Sequence, residues 1–316
     1  MKKSTKAVVL SLAERCKNIL SSNWHSQLHT IKADAKGSKG DIHSSRVKYF
    51  FKRGKPYIWI PEGDLHNVNT MIDERGSFSV VHTIPGPLMG LLKSIKKLPP
   101  RVALTGDVVP LKDDKVKLAW ESLRQAIESE REVILHPSYS VSGVLSSSTI
   151  GFKSRSENLL EVLEGNDPYV VYKFDIRFCS YIDINGSIHE VDVDNIAVAK
   201  TDPLSPFTEK LIDGINQSQA RRRALMLFCF VYLNKCARDA FILSVDRKGF
   251  DVLAKMPSVT TKDGLSHYEW KDLRFSFKEE ADDIEGFCHK LVEMEEDALK
   301  NLSSFSGLAL QEGVAS

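Results

Sequence analysis

The chain has 316 residues, of which 42% are hydrophobic, 27% charged and 9% aromatic; these proportions exclude a disordered or fibrous protein. The net charge of +1 excludes a global field that draws the molecule onto nucleic acid or an anionic membrane, so any such binding has to be local. Cys16, Cys179, Cys229, Cys236 and Cys288 show no CxxC spacing and read as reduced thiols without a zinc pattern, and no run of 18 apolar residues is present to span a membrane.

Residues 5–20 place Val8, Val9, Leu12, Ala13, Cys16, Ile19 and Leu20 close to the i, i+3, i+4 spacing of an amphipathic helix, which fixes an N-terminal helix within residues 1–21. From Leu28 to Val81 the pattern changes to short strands, "QLHTIKA", "SSRVKYFFK", "KPYIWIP" and "GSFSVVH", bounded by Gly, Pro, Ser and Asp. Between the third and fourth strands, "EGDLHNVNTMIDERG" predicts a short helix with Asp64 as N-cap and Gly76 as its stop. Residues 83–100, "TIPGPLMGLLKSIKKLPP", set Leu88, Leu91, Leu92 and Ile95 at helical spacing beside Lys93, Lys96 and Lys97. That pattern fits either a short helix that covers one mouth of the barrel or an amphipathic helix that docks on a partner's acidic groove or an anionic membrane surface. A strand "RVALTGDVVPL", a helix over 113–132 and a hairpin turned at Asn185-Gly186 complete residues 22–195.

The two prolines of "AKTDPLSPFTE" mark a linker at 196–207. Beyond it, residues 208–303 read as helix, three strands and helix, an α+β module with a core of its own, and 304–316 as a tail. Charge is uneven along the chain. Residues 1–60 carry thirteen Lys or Arg against three acids, whereas 279–297 carry nine acids and one Lys. The basic start belongs near a phosphate or another polyanion, and the acidic end reads as the wet face of a helix.

"DLHNVNTMIDERGSFSVV", with His66, Asn69, Asp73, Arg75 and Ser77, resembles the His-x-x-Asn, Asp-x-Arg-x-Ser segment of HugZ-type split-barrel proteins, relatives of pyridoxamine 5'-phosphate oxidase. "HSSRVKYFF", "RVALTGDVVPL", "LSVDRKGFDV" and "LRFSFKEEADDIEGFCHKLVEM" follow in the family's order, so the resemblance covers residues 8–303. It implies an α+β fold, a split β-barrel of the FMN-binding type at 22–195 followed by the small α+β module at 208–303. It also implies a homodimer with ligand sites at the subunit interface, holding FMN, haem or nothing. Plant members resemble plastid proteins of tetrapyrrole metabolism, so the expected location is the chloroplast; the basic start contains Glu14 and runs straight into a helix, so no transit peptide is evident. Where haem-degrading bacterial members carry a pattern resembling His-Met-Asn-x-Asp-His, this chain has Gly214, Ile215, Asn216, Gln217, Ser218 and Gln219. Two imidazoles able to ligate iron are therefore replaced.

The resemblance points to Arg46 for a flavin phosphate, with Lys48 two residues on and on the same strand face. Ser45 or Ser44 adds a hydroxyl, and His66 and Asn69 come from the motif segment. The same strand also reads as an ordinary basic exterior. Arg221, Arg222 and Arg223 sit about 100° apart on a helix, so they cannot converge on one phosphate. Either their stems cover apolar surface with the heads in water, or at most two of them converge on an acidic partner or cofactor; the absence of interleaved aromatics argues against nucleic acid. No spacing of Ser-His-Asp, paired carboxylates or HExxH assigns a catalytic residue or a metal. Two functions remain open: a flavin- or haem-dependent oxidoreductase, and a non-catalytic plastid protein that binds a partner enzyme of tetrapyrrole metabolism.

Overall fold

The computed structural model describes residues 9–34, 37–147, 153–165, 167–258 and 267–306. The first residues of the expected N-terminal helix, Val8 among them, and the tail beyond 306 lie outside that range. The elements run α1 (Leu12–Ser22), β1 (His25–Asp34), β2 (Gly37–Lys52), β3 (Lys55–Pro61), α2 (Leu65–Ile72), β4 (Arg75–Val81) and α3 (Gly86–Ser94). They continue with β5 (Arg101–Pro110), α4 (Asp114–Leu135), α5 (Tyr139–Leu145), α6 (Arg155–Glu164), β6 (Tyr169–Ile182), β7 (Ile188–Val191) and α7 (Val193–Val198). After a 3-10 turn at Ser205–Phe207 come α8 (Thr208–Gln217), α9 (Gln219–Leu233), β8 (Asp239–Asp246), β9 (Gly249–Pro257), β10 (Tyr268–Ser276) and α10 (Ile284–Ser306).

Two compact units result, one of residues 10–137 and 153–209, the other including 138–147 and 210–306. In the first unit, six antiparallel strands close in the order β3-β2-β1-β4-β5-β6, with β3 pairing back to β6 and β7 extending the sheet beyond β6. This is the split barrel inside an α+β chain that the resemblance implies. Period-two alternation builds its two cores. Leu28, Val47, Tyr49, Ile58, Ile60, Phe78, Leu104 and Phe174 turn inward with Cys16, Ile19 and Leu20 of α1. Phe50 and Trp59, one residue out of phase on β2 and β3, turn outward against Leu123, Ile127, Leu159 and Val162 of α4 and α6.

Cys16 Sγ lies 3.8 Å from Cys179 Sγ inside the barrel, and all five cysteines are free. The hydrogen bond between the two thiols and their burial hold the Cys16 thiol well above its ordinary range, so both behave as core groups. No helix among the described residues is long and apolar enough to cross a membrane.

Several local expectations change. Asp64 caps α2, its side chain accepting from His66 N, but the helix ends at Asp73 and Gly76 lies in β4. The β6–β7 hairpin turns through five residues, Asp183 to Ser187, and the Asp183 carboxylate accepts from the backbone N–H groups of Asn185 and Ser187. In α3, Leu88 and Leu92 are buried, so its stripe is core cover. Residues 196–207 are packed structure: Leu204, Ser205 and Phe207 are buried, and the Lys17 ammonium donates to the carbonyls of Ala197 and Ala199 at 3.1 and 2.6 Å.

The second unit carries a three-stranded antiparallel sheet ordered β10-β9-β8 with α5, α8, α9 and α10. Phe228, Phe250, Phe275, Phe277 and Phe287 form its aromatic centre. The short α5 belongs here although it interrupts the barrel sequence. Gly214 of α8 permits its approach, because a Cβ there would sit 2.2 Å from the Val144 carbonyl oxygen.

Gly106 marks the bulge where β5 and β6 shift register, with Arg177 as the extra residue. A Cβ at this position would lie 2.0 Å from the Asp175 carbonyl oxygen, whereas one at Gly90 in α3 meets open space. Gly106→Ala is therefore expected to lose about 1–3 kcal/mol or more in urea unfolding, while Gly90→Ala gains about 0.5–1 kcal/mol.

Candidate functional site

Helix α2 is packed with its polar side toward the barrel. His66, Asn69 and Thr70 are buried, while Leu65, Val68, Met71 and Ile72 face solvent, Met71 at 83% exposure. What draws the polar side in is a row of hydroxyls on β1 and β2. Antiparallel pairing sets Thr30 opposite His43 and Leu28 opposite Ser45, so Thr30, His43 and Ser45 share one sheet face.

The His66 ring lies between two of those hydroxyls, Nδ1 at 2.7 Å from Thr30 Oγ1 and Nε2 at 3.0 Å from Ser45 Oγ. Asn69 Nδ2 donates to Thr30 Oγ1 at 2.9 Å, and Asn69 Oδ1 accepts from the Ala33 backbone N–H at 2.9 Å. Thr70 Oγ1 donates to the His66 carbonyl at 2.9 Å. Burial pushes the His66 imidazole down to about 4, so the ring is neutral over the physiological range. His43 lies beside it with ring centroids 4.5 Å apart, and His43 Nε2 is 3.5 Å from Asp64 Oδ1.

The opposite face of the same strand pair is different in kind. His25, Gln27 and His29 alternate with the inward residues of β1, and Ser44, Arg46 and Lys48 with those of β2. Gln27 Nε2 donates to Ser44 Oγ at 2.7 Å. The Arg46 guanidinium lies over the Trp24 ring at 5.2 Å, and among the described residues it has no hydrogen-bond partner. Lys48 Nζ is 3.4 Å from Glu161, a carboxylate that also receives Lys153 at 2.5 Å. His25, against Trp24 at 4.6 Å, is pushed down to about 4 by burial and by the Arg46 charge.

The five expected ligand residues thus divide in two. Ser45, His66 and Asn69 come together in the buried network, while Arg46 and Lys48 stand on the other face. Ser45 cannot join the two cations, because adjacent strand residues point to opposite faces; Ser44 is the hydroxyl on the basic side. Neither His43 nor Thr30 was expected in the network, although the shared alternation of Thr30 with His43 and Ser45, and the Asp64-x-His66 spacing at a helix start, are readable signals.

The arginine triplet is absorbed by its own unit. Arg221 donates to the carbonyls of Gly214 and Gly143 at 3.0 and 2.6 Å, Arg222 pairs with Asp239 over the Phe241 ring, and Arg223 is exposed. At the replaced histidine pattern, Asn216 stitches α8 to β8 by exchanging two hydrogen bonds with the Ile242 backbone, at 2.9 and 2.8 Å.

No protein-family model and no curated protein matches the chain. Among solved structures, it is similar to a haem-binding protein from Mycobacterium smegmatis, at 18% identity and a TM-score of 0.54, over 93% of this chain and 99% of that one. It is also similar to ChuZ from Campylobacter jejuni, at 12% identity and a TM-score of 0.39, over 60% and 63% of the two chains. HutZ from Vibrio cholerae, described as a haem storage protein, aligns at 12% identity and a TM-score of 0.34, over 53% of this chain and 92% of its own. The first of these shows that the fold is shared; the other two superpose too loosely to add to it.

His25 supplies a pH test of the basic face. Its folded pKa, about 4, lies below the ordinary value of 6.5, so the unfolded chain takes up the proton first. The stability this group contributes is present above pH 6.5 and is lost as pH falls toward 4. Chemical unfolding at stepped pH is expected to show a smaller decline over that window in His25→Gln than in the parent protein; equal slopes would remove Arg46 and burial as the cause.

Proposed function

We propose that this protein binds a planar redox cofactor with anionic arms, FMN or haem, on the outer face of β1 and β2. The observation that carries this reading is the Arg46 guanidinium, exposed, stacked on Trp24 and without a hydrogen-bond partner among the described residues, with Lys48 two residues along the same face. A guanidinium offers a planar bidentate fork and Lys48 a second charge, which suits a phosphate or a propionate. Glu161 competes for Lys48, so Arg46 is the stronger anchor and Lys48 the adjustable one. When bound, either cofactor supplies electron-transfer chemistry; this chain supplies anion docking and the flat indole of Trp24. No residue is assigned a catalytic role. The shared fold with a haem-binding protein favours the same class of ligand.

A homodimer fits this reading. Leu65, Val68, Met71 and Ile72 of α2 form an exposed apolar surface of the kind that subunit contacts cover. That surface and the replaced histidines at 214–219 also favour a second reading, a non-catalytic protein that docks on a partner enzyme. A chloroplast location beside tetrapyrrole metabolism rests on the sequence resemblance alone.

Titration of the protein with FMN and with haem separates the readings. Saturable binding of one of them is expected, weakened about tenfold to a hundredfold in Arg46→Ala, as loss of a hydrogen bond to a charged group implies. Binding of neither cofactor favours the partner-docking reading, and unchanged affinity in Arg46→Ala removes the basic face as the site.

A further inference from the structure

The pair His43 and Asp64 has no part in the cofactor reading, yet its geometry is that of a ligand set. His43 Nε2, an Asp64 carboxylate oxygen and a His66 ring nitrogen all lie within 4.8 Å of one another, and no other group of three His, Cys, Asp or Glu side chains converges so closely among the described residues. His43 Nε2 is buried and makes no hydrogen bond. It lies 3.5 Å from Asp64 Oδ1, close to the roughly 3.4 Å edge of a tetrahedron whose metal–nitrogen and metal–oxygen bonds are about 2.0–2.2 Å.

We propose that His43, Asp64 and His66 bind a divalent first-row transition-metal ion of the zinc class, leaving a fourth position for water. Two imidazoles and one carboxylate are borderline donors that suit such an ion better than Mg2+ or Ca2+, which take oxygen sets. Three protein ligands with one open position make the kind of site that keeps an exchangeable water. The set is already oriented. Whichever nitrogen of His66 turns to the ion, the other remains on a hydroxyl, Thr30 at 2.7 Å or Ser45 at 3.0 Å, and such outer contacts fix a ligand ring. Asp64 is held by its own cap, with Oδ1 accepting from the His66 backbone N–H at 2.9 Å, and the same oxygen lies 3.5 Å from His43 Nε2. An ion at the centre would give a partner to the one polar atom of this cluster that lacks one.

The site stands independently of any cofactor on the outer face, because its residues point to the other side of the strand pair. His43 and Asp64 each retain 21% side-chain exposure, so an ion has a path in, whereas His66 is fully buried.

The test is a calorimetric titration of the chelator-treated full chain with zinc chloride, repeated with cobalt chloride while the visible spectrum is recorded. One equivalent per chain is expected, with the intense visible bands of four-coordinate cobalt. His43→Ala removes a half-exposed ligand, and Asp64→Asn removes the charge while keeping a good cap; both variants are expected to keep the parent's far-ultraviolet circular dichroism. Each should weaken zinc at least tenfold, and loss of the hydroxyl that holds the other His66 nitrogen, by Thr30→Val where Nε2 meets the ion or Ser45→Ala where Nδ1 does, should weaken it by roughly 10–100-fold. His136→Ala, on the exposed end of α4, should leave it unchanged. No saturable zinc binding, or binding that His43→Ala and Asp64→Asn leave intact in folded protein, would overturn the proposal.

Discussion

The docking of α2 through buried hydrogen bonds is the constraint on which the rest of the barrel end depends. An amphipathic helix ordinarily turns its apolar stripe to the core. Here the β1 and β2 face presents Thr30, His43 and Ser45, and unpaired hydroxyls there would be costly to bury. His66 and Asn69 satisfy them, and Asn69 also reaches the Ala33 N–H beside a register shift in β1. The consequence lies on the other side of the helix: with the polar residues committed inward, Leu65, Val68, Met71 and Ile72 are left outside. One set of hydrogen bonds therefore both fixes the helix and creates the apolar surface.

The second constraint is the pleat. Because neighbours on a strand alternate, β2 carries two unrelated chemistries within six residues, imidazole and hydroxyl turned toward α2 at His43 and Ser45, cations turned away from it at Arg46 and Lys48. The strand can thus serve a metal or a structural network on one side and an anionic ligand on the other without either interfering.

Much of this was legible in the sequence because it is local. The strands of β1 to β5, the Asp64 cap, the helix of α4 and the three strands of the second unit follow from spacing and turn residues. The fit of Arg46 and Lys48 to a common face needed only the period of two. What was not legible depends on partners far away in the chain. Nothing in "SYSVSGVLSSS" tells that α5 leaves the barrel unit and meets Gly214, and the prolines near 203 and 206 gave no sign that Leu204 and Phe207 are buried. The placing of Ser45 with His66 required knowing which face of β2 is covered by α2, whereas its separation from Arg46 follows from the pleat alone. The inverted amphipathicity of α2 was missed for the same reason: its sequence shows a stripe, and only the hydroxyls of β1 and β2 decide which side is buried.

The most direct measurement is the stability of Asn69→Ala in urea. Leaving the Ala33 N–H without its partner and weakening the hold on Thr30 is expected to lower the unfolding free energy by about 1–3 kcal/mol. A change within about 0.5 kcal/mol, the range of an ordinary surface substitution, would contradict the claim that α2 is held by its polar side.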